Sequence, residues 1–391
     1  MKLAVALLQL GACTAAAAAD VDAQIELGAP VGHVDERFLS VTMDGHVWDG
    51  GDAMDFWKPG SKLTRVLAGA LAPAYIRFGG NSHSTLTYNM TDKPLPPLPP
   101  LPAPAYQPPR PKTSMTKRQW SEINEFCGAV GWTNVFALNA LLRVADGSHS
   151  GRWDDSATSA AAGLLAFTYA QKSWAPVVWE LANEPDLFHY AYNLTDHSVF
   201  PVPPLQLAKD HASLRSLLAR LAPSSLAAKP VVVGPDVANA GPTGGGKYWA
   251  EYFGNQSSVG GHVDAATWHH YYGSSKTATL QDTHSPVVLD KFIVQQSEMA
   301  ASLAQHSGGS HAPPIWLGET SSFYGGGAAN VSDRFGAGFT WLDKLGAAAR
   351  LNVSVVCRQV RPNILGSVQN HLSDLTRGIW LARPGWVDST P

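Results

Sequence analysis

The sequence predicts an α/β fold of the (β/α)8 barrel type, and three observations carry that prediction. Eight short apolar or β-branched runs recur along the chain, and several are closed by polar residues. Most are separated by stretches with apolar residues at three- and four-residue spacing, and no G-x-G-x-x-G follows the first run, as a doubly wound dinucleotide-binding sheet would require. At 391 residues, 45% hydrophobic and only 15% charged, the chain can bury a large core. A formal net charge of -3 gives no general basic surface and argues against a dedicated nucleic-acid binder. The 36 Gly, 28 Pro and 13 Trp suit a loop-rich enzyme with aromatic ligand platforms better than a helical bundle.

Residues 1–19 carry one lysine, an apolar run and an alanine tract, the layout of a secretory signal peptide. No later stretch stays apolar for the roughly 18 residues a membrane-spanning helix needs. A secreted, extracellular-matrix or lysosomal destination is therefore expected. N-x-S/T acceptors at Asn89, Asn193, Asn255, Asn330 and Asn352 suit that route. Beyond the signal only Cys127 and Cys357 remain, either paired or buried, so the chain is no disulfide scaffold.

The strand runs fall at 37–44, 74–78, 134–139, 177–181, 230–236, 263–271, 315–319 and 353–360. Helical spacing is read at 117–130, 157–171, 206–221, 286–303 and 332–350. After the second strand, residues 94–111 are too proline-rich for helix or sheet and predict an exposed polyproline II excursion, open to processing or docking or simply tolerated as an insertion. The catalytic barrel is assigned to 20–360 and a divergent tail to 361–391.

A barrel places its chemistry at the C-terminal ends of its strands. The fourth ends in W-E-L-A-N-E-P, setting Glu184 just past a buried strand, with Pro185 stopping further pairing. The seventh ends in I-W-L-G-E-T-S-S and sets Glu319 at equivalent height on another wall. Either glutamate alone reads equally well as a strand-end cap or an ion-pair partner. Together they are the pair a retaining glycosidase needs, one as nucleophile and one as acid/base. In the sixth strand, T-W-H-H-Y-Y, side chains alternate, so only one of His269 and His270 faces the mouth, with Tyr271 or Tyr272 according to register. These groups suit hydrogen bonding to a carboxylate and to sugar hydroxyls, or else aromatic core packing.

Adjacent histidines clamp a metal poorly, and no H-E-x-x-H or Cys/His cluster occurs, so no metal or cofactor is expected. G-P-T-G-G-G-K at 241–247 copies phosphate-loop spacing, but Tyr248 stands where Ser or Thr must hold magnesium, and the segment reads as a flexible loop. The absence of G-x-S-x-G leaves a serine hydrolase without its nucleophile elbow.

The strings W-E-L-A-N-E-P-D, A-T-W-H-H-Y-Y, W-L-G-E-T-S-S-F-Y-G-G-G, F-T-W-L-D-K-L-G, F-L-S-V-T-M-D and A-Y-I-R-F-G-G resemble the endo-β-glucuronidases of glycoside hydrolase family 79 over residues 38–360. The resemblance implies double displacement on heparan sulfate or another glucuronide-containing glycan, with Glu184 as acid/base and Glu319 as nucleophile. It also implies substrate or supporting contacts at Asp44, Asn81, Asn183, His269, Tyr271, Lys276, Tyr324, Gly325, Gly326 and Gln359, with Asn81 in place of the family's threonine. The proline-rich excursion falls where such enzymes carry a linker removed on maturation. On this reading an apolar seat and a neighbouring negative charge keep Glu184 protonated, and an acidic optimum follows. Protonating all 14 His takes the formal charge from -3 to +11, which favours an anionic glycan.

Departures bear on the substrate. Ala182 replaces the glycine of L-G-N-E-P. The loop at 238–246 lacks arginines, and only Lys112, Lys117 and Arg118 remain of a lysine-rich segment, so polyanion affinity is expected to fall. Past Val360 the likeness stops, without the substrate loop and β-sandwich of the family, as in a truncated or misspliced product. Two alternatives accompany the endo-glucuronidase reading: exo-β-glucuronidase action on small glucuronides, and a secreted glycan-binding protein without turnover.

Overall fold

The computed structural model describes residues 28–30, 34–44, 62–91, 93–95, 97–224, 226, 229–307 and 312–360. The expected signal peptide and the 361–391 tail lie outside the described residues. The chain divides into a unit at Met1–Val31 and a unit at Gly32–Pro391, and every element below belongs to the second.

Eight parallel strands close into a barrel: β1 (Leu39–Asp44), β2 (Ala74–Gly79), β3 (Trp132–Leu138), β4 (Val178–Leu181), β5 (Val232–Val237), β6 (Ala265–His270), β7 (Ile315–Thr320) and β8 (Val353–Val360). Neighbours in sequence are neighbours in the sheet, and β1 closes the ring against β8 through pairs such as Thr42 with Gln359. Among the described residues a helix of nine residues or more follows each of the first seven strands: α1 (Lys62–Ala70), α2 (Lys117–Val130), α3 (Ala160–Ala170), α4 (Pro204–Leu221), α5 (Gly245–Val259), α6 (Pro286–His306) and α7 (Gly336–Arg350). All eight predicted strands form. So do the five predicted helices, while α1 and α5 are additional. No helix among the described residues is long and apolar enough to cross a membrane.

Local chemistry sets the helix limits. The Thr116 hydroxyl accepts the Gln119 N–H at 3.3 Å and the Gln119 side chain takes the Thr116 N–H at 2.8 Å, a reciprocal cap that starts α2. Gly131, at φ 74°, ends it in the left-handed conformation. The Gly-rich run at 241–247 is not a flexible loop but the tight entry to α5. A Cβ on Gly245 would stand 2.0 Å from the Asn239 carbonyl oxygen, so the backbone packs where only glycine fits.

Alternation along the strands builds the barrel interior in layers. At the N-terminal end Tyr75, Val135, Val178, Val233, Ala265, Trp316 and Val355 form an apolar plug. Two residues further along β2, β4 and β6 stand Arg77, Glu180 and Thr267, all buried, so ionic groups replace the plug just beneath the mouth. Between barrel and helices lies the main core, which takes up Trp120, Trp153, Trp179, Trp249 and Trp268, all fully buried, and Trp132 and Trp341, nearly so. With Trp316 in the plug, these eight tryptophans among the described residues pack the interior rather than serve as ligand platforms. Each large buried side chain of this kind contributes on the order of 2 kcal/mol by area.

Cys127 and Cys357 are both buried and unpaired, and burial pushes both thiols well up. The described part of the proline-rich excursion contains neither helix nor strand. It is not wholly exposed, however. Leu101 is buried against Gly151, and the Tyr106 N–H donates to the His149 carbonyl at 2.8 Å. Its ends are tied where Leu86–Asn89 pairs in parallel with Thr113–Thr116.

Candidate active site

The C-terminal ends of β2, β4, β5, β6 and β7 converge on one polar cluster. Glu184 follows β4 at φ 49°, and its N–H donates to the Asp236 carbonyl at 2.9 Å. Glu319 stands near the end of β7. A carboxylate oxygen of Glu184, a ring nitrogen of His269 and a carboxylate oxygen of Glu319 all lie within 4.8 Å of one another.

Each glutamate has its own partners. The Tyr271 O–H donates to Glu319 Oε1 at 2.7 Å, and Arg77 Nη1 donates to Oε2 at 3.3 Å. Burial raises the Glu319 carboxyl above its usual range against the pull of His269 and Arg77, and Glu184 adds repulsion. His269 Nδ1 donates to Glu184 Oε1 at 2.8 Å, so the seat of Glu184 is not the apolar one expected from its strand. Among the described residues the other Glu184 oxygen takes no hydrogen bond. It faces the mouth from a side chain 17% exposed.

Beneath the pair runs a buried ionic network that sequence reasoning missed. Arg77 Nε donates to Glu180 Oε2 at 2.7 Å, Nη2 donates to Asn183 Oδ1 at 2.9 Å and to Asp236 Oδ2, and Nη1 also reaches Thr42. Asp236 Oδ2 lies 3.0 Å from His269 Nε2, an ion-pair contact with the N–H aimed off the direct line. Burial alone would strip the proton from His269. The carboxylates of Asp236, Glu319 and Glu184 outweigh it and hold the imidazole charged well above its ordinary range. Burial likewise opposes ionising Asp236, but Arg77 and His269 together hold it below the usual carboxylate range. Burial pushes Glu180 up to about 8 despite Arg77. A Cβ on Gly318 would stand 2.6 Å from Asp236 Oδ1, so glycine on β7 makes room for this network.

The signal for Arg77, Glu180 and Asp236 was present in the sequence: ionisable residues inside otherwise apolar strand runs, which require burial in mutual contact. Glu184, His269 and Glu319 are also the one group among the described residues able to offer a cation three donor atoms.

The remaining expected positions are distributed around the mouth. Asn183 Oδ1 also accepts the Gly80 N–H at 2.8 Å, and its Nδ2 reaches Asn81 Oδ1 at 3.4 Å. Asp44 closes β1 and accepts the Ser82 hydroxyl at 2.8 Å. Gln359 lies on β8 opposite Thr42, with its side-chain oxygen buried. Tyr324, 54% exposed, packs edge-on to Tyr271, and Gly325 and Gly326 follow at φ 82° and 98°. Lys276 is exposed on the loop after β6, where Ser274 bridges to Tyr324. Of the adjacent histidines, His270 turns outward into a pocket of Trp268, Tyr272 and Phe292. Among the acceptor asparagines Asn193, Asn330 and Asn352 are exposed, while Asn89 and Asn255 are partly buried.

A closed (β/α)8 barrel with paired carboxylates at its C-terminal mouth defines the class: the protein is a glycoside hydrolase. The model of glycosyl hydrolase family 79, N-terminal domain, matches residues 21–346, and the chain belongs to that family. It is 31% identical over 390 residues to "Heparanase" of Mus musculus, covering 90% of this chain and 67% of that protein. It is 30% identical over 349 residues to "Hyaluronoglucuronidase" of Hirudo nipponia, covering 84% and 65%. "Inactive heparanase-2" of Mus musculus is 27% identical over 395 residues, covering 88% and 62%. The chain thus spans about two thirds of the length of these relatives. Among solved structures, a 4-O-alpha-L-rhamnosyl-beta-D-glucuronidase from Fusarium oxysporum shares the fold with a TM-score of 0.55 at 16% identity, covering 85% of this chain and 64% of that one.

Proposed function

We propose that the protein is a retaining β-glucuronidase that cleaves heparan sulfate chains internally, with Glu319 as nucleophile and Glu184 as acid/base. The observation that carries this reading is the approach of Glu184 and Glu319 within 4.8 Å, each with a different set of partners. Retaining enzymes hold their carboxyl groups about 5 to 5.5 Å apart, whereas inverting enzymes leave room for a water.

Glu319 has the environment of a nucleophile. Arg77 and Tyr271 orient both its oxygens, and burial keeps the Tyr271 phenol protonated and therefore a donor. Attack on the anomeric carbon forms a glycosyl ester while Glu184 gives its proton to the departing glycosidic oxygen. Water, deprotonated by Glu184, then hydrolyses the ester. Because Glu319 must be ionised and its carboxyl is raised, activity falls on the acid side at a pH above the ordinary carboxylate range.

Exo action on small glucuronides remains the second reading, favoured by the lack of arginine in the loop at 238–246, where a sulfated chain would need cations to grip it. Export with glycosylation at Asn193, Asn330 and Asn352 belongs to the same proposal, supported by their exposure.

The test is Glu319→Gln assayed on an aryl β-glucuronide, with an expected loss of rate of about 1,000-fold or more. A mechanism-based glucuronide inactivator should label Glu319. Turnover at the parent rate would remove Glu319 from the reaction. Product size from an intact heparan chain separates the two modes, since oligosaccharide ladders mean endo action and single residues mean exo.

A further inference from the structure

Asp236 touches both halves of the site without being a member of the glutamate pair. Its backbone carbonyl accepts the Glu184 N–H at 2.9 Å. Its Oδ2 is shared between Arg77, which reaches Glu319, and His269 Nε2 at 3.0 Å, and the opposite nitrogen of the same ring donates to Glu184 at 2.8 Å. The side chain is fully buried, stands at φ 65°, and has glycine opposite it on β7 to admit its other oxygen. A left-handed backbone and a clearance kept for one carboxylate are costs a bare core position does not carry.

We propose that Asp236 is the positioning residue of the proton-transfer arm, holding the His269 imidazolium on Glu184 and so stabilising the carboxylate that Glu184 becomes. This rests on the assignment of Glu184 as acid/base.

In the first step the O–H bond of Glu184 breaks and its proton joins the glycosidic oxygen. The C1–O pair leaves with that oxygen, a Glu319 oxygen bonds to C1, and Glu184 is left with a negative charge. His269 keeps both its protons throughout. Its Nδ1–H already points at the oxygen that gains charge, while Asp236 neutralises the ring from behind. The orientation is thus set before the charge appears, and little rearrangement is needed as it forms. Charged and titratable groups face the ring from every side: Asp236 from β5, Glu319 from β7, Glu184 and Asp186 beyond β4, Glu180 on β4, and Arg77 from β2 across the shared oxygen. Of these, only Asp236 lies at contact distance from Nε2.

The role is distinguished from general support of the fold by the leaving group. A dinitrophenyl β-glucuronide departs without protonation, whereas an alkyl β-glucuronide requires it. For full-length Asp236→Asn, kcat/KM on the alkyl substrate should fall about 100-fold while the dinitrophenyl substrate loses less than about 5-fold. The alkaline limb of the alkyl pH profile should move to lower pH, because a ring deprived of its anion releases its proton sooner. His269→Gln should show the same selectivity, and the double variant should lose no more than His269→Gln alone. Equal losses on both substrates, or additive losses in the double variant, overturn the proposal. If Asp236→Asn does not fold, Asp236→Glu, which keeps the charge but displaces it, should give the same selectivity in smaller measure, and a uniform loss there overturns it equally. Glu184→Gln serves as the control. Selectivity in Glu184→Gln without selectivity in Asp236→Asn sinks this proposal alone, whereas none in Glu184→Gln removes the acid/base assignment with it.

Discussion

Ala182 occupies a backbone position made for another residue. It lies at φ 91°, buried at the end of β4, two residues before Glu184. A Cβ there meets the preceding carbonyl, a cost of about 1 kcal/mol or more that glycine avoids. Ala182→Gly is expected to stabilise the protein by about 1 kcal/mol in chemical denaturation, and an unchanged midpoint would mean the strain is relieved elsewhere. The sequence showed this substitution, but not that the chain had kept the glycine conformation around it. Single residues were legible where type and position coincide, as with Glu184 and Glu319 at strand ends. They were not legible where function depends on partners across the barrel. Arg77, Glu180 and Asp236 come from three strands separated by about a hundred and by some fifty residues, and only closure of the sheet brings them together.

At the level of elements, the strands were readable because each is a short apolar run bounded by polar residues, and α2, α4 and α6 because their apolar spacing persists over several turns. The start of α5 was misread, since three glycines in succession are poor helix formers and resemble a phosphate loop. The structure reverses that inference: glycine is there because the Asn239 and Ala240 carbonyls pack against the first turn. Gly245→Ala therefore tests packing rather than propensity. In an exposed helix the exchange would be favourable, whereas here a destabilisation of about 3 kcal/mol is expected from the thermal or denaturant midpoint. A neutral or stabilising result would show that the entry loop yields freely. The proline-rich excursion was legible as neither helix nor strand but not in its anchorage, because Leu101 finds its pocket on a distant loop at Gly151.

For the whole molecule, the decisive feature is the amount of ionisable chemistry enclosed by the barrel. Glu180 titrates at about 8 in the folded protein against an ordinary value of 4.5. Between those values the native state holds a proton that the unfolded chain has released. The contribution of Glu180 is therefore complete at acid pH and is lost as pH rises through about 8. Glu180→Gln cannot ionise, so its stability relative to the parent should improve steadily from about pH 5 to about pH 8. A difference that stays flat over that interval would show that Glu180 does not carry the proton. Asp186, pushed by burial up to about 7, acts in the same direction.

Closure of the barrel has a consequence for covalent continuity. The first strand is hydrogen-bonded on both edges, to β8 and to β2, and β2 in turn to β3, while the backbone on either side of the proline-rich excursion is paired at Leu86–Asn89 and Thr113–Thr116. A peptide bond severed inside that excursion would leave the shorter piece interleaved with the longer one by a ladder along each side. The scission would be seen only under denaturing conditions.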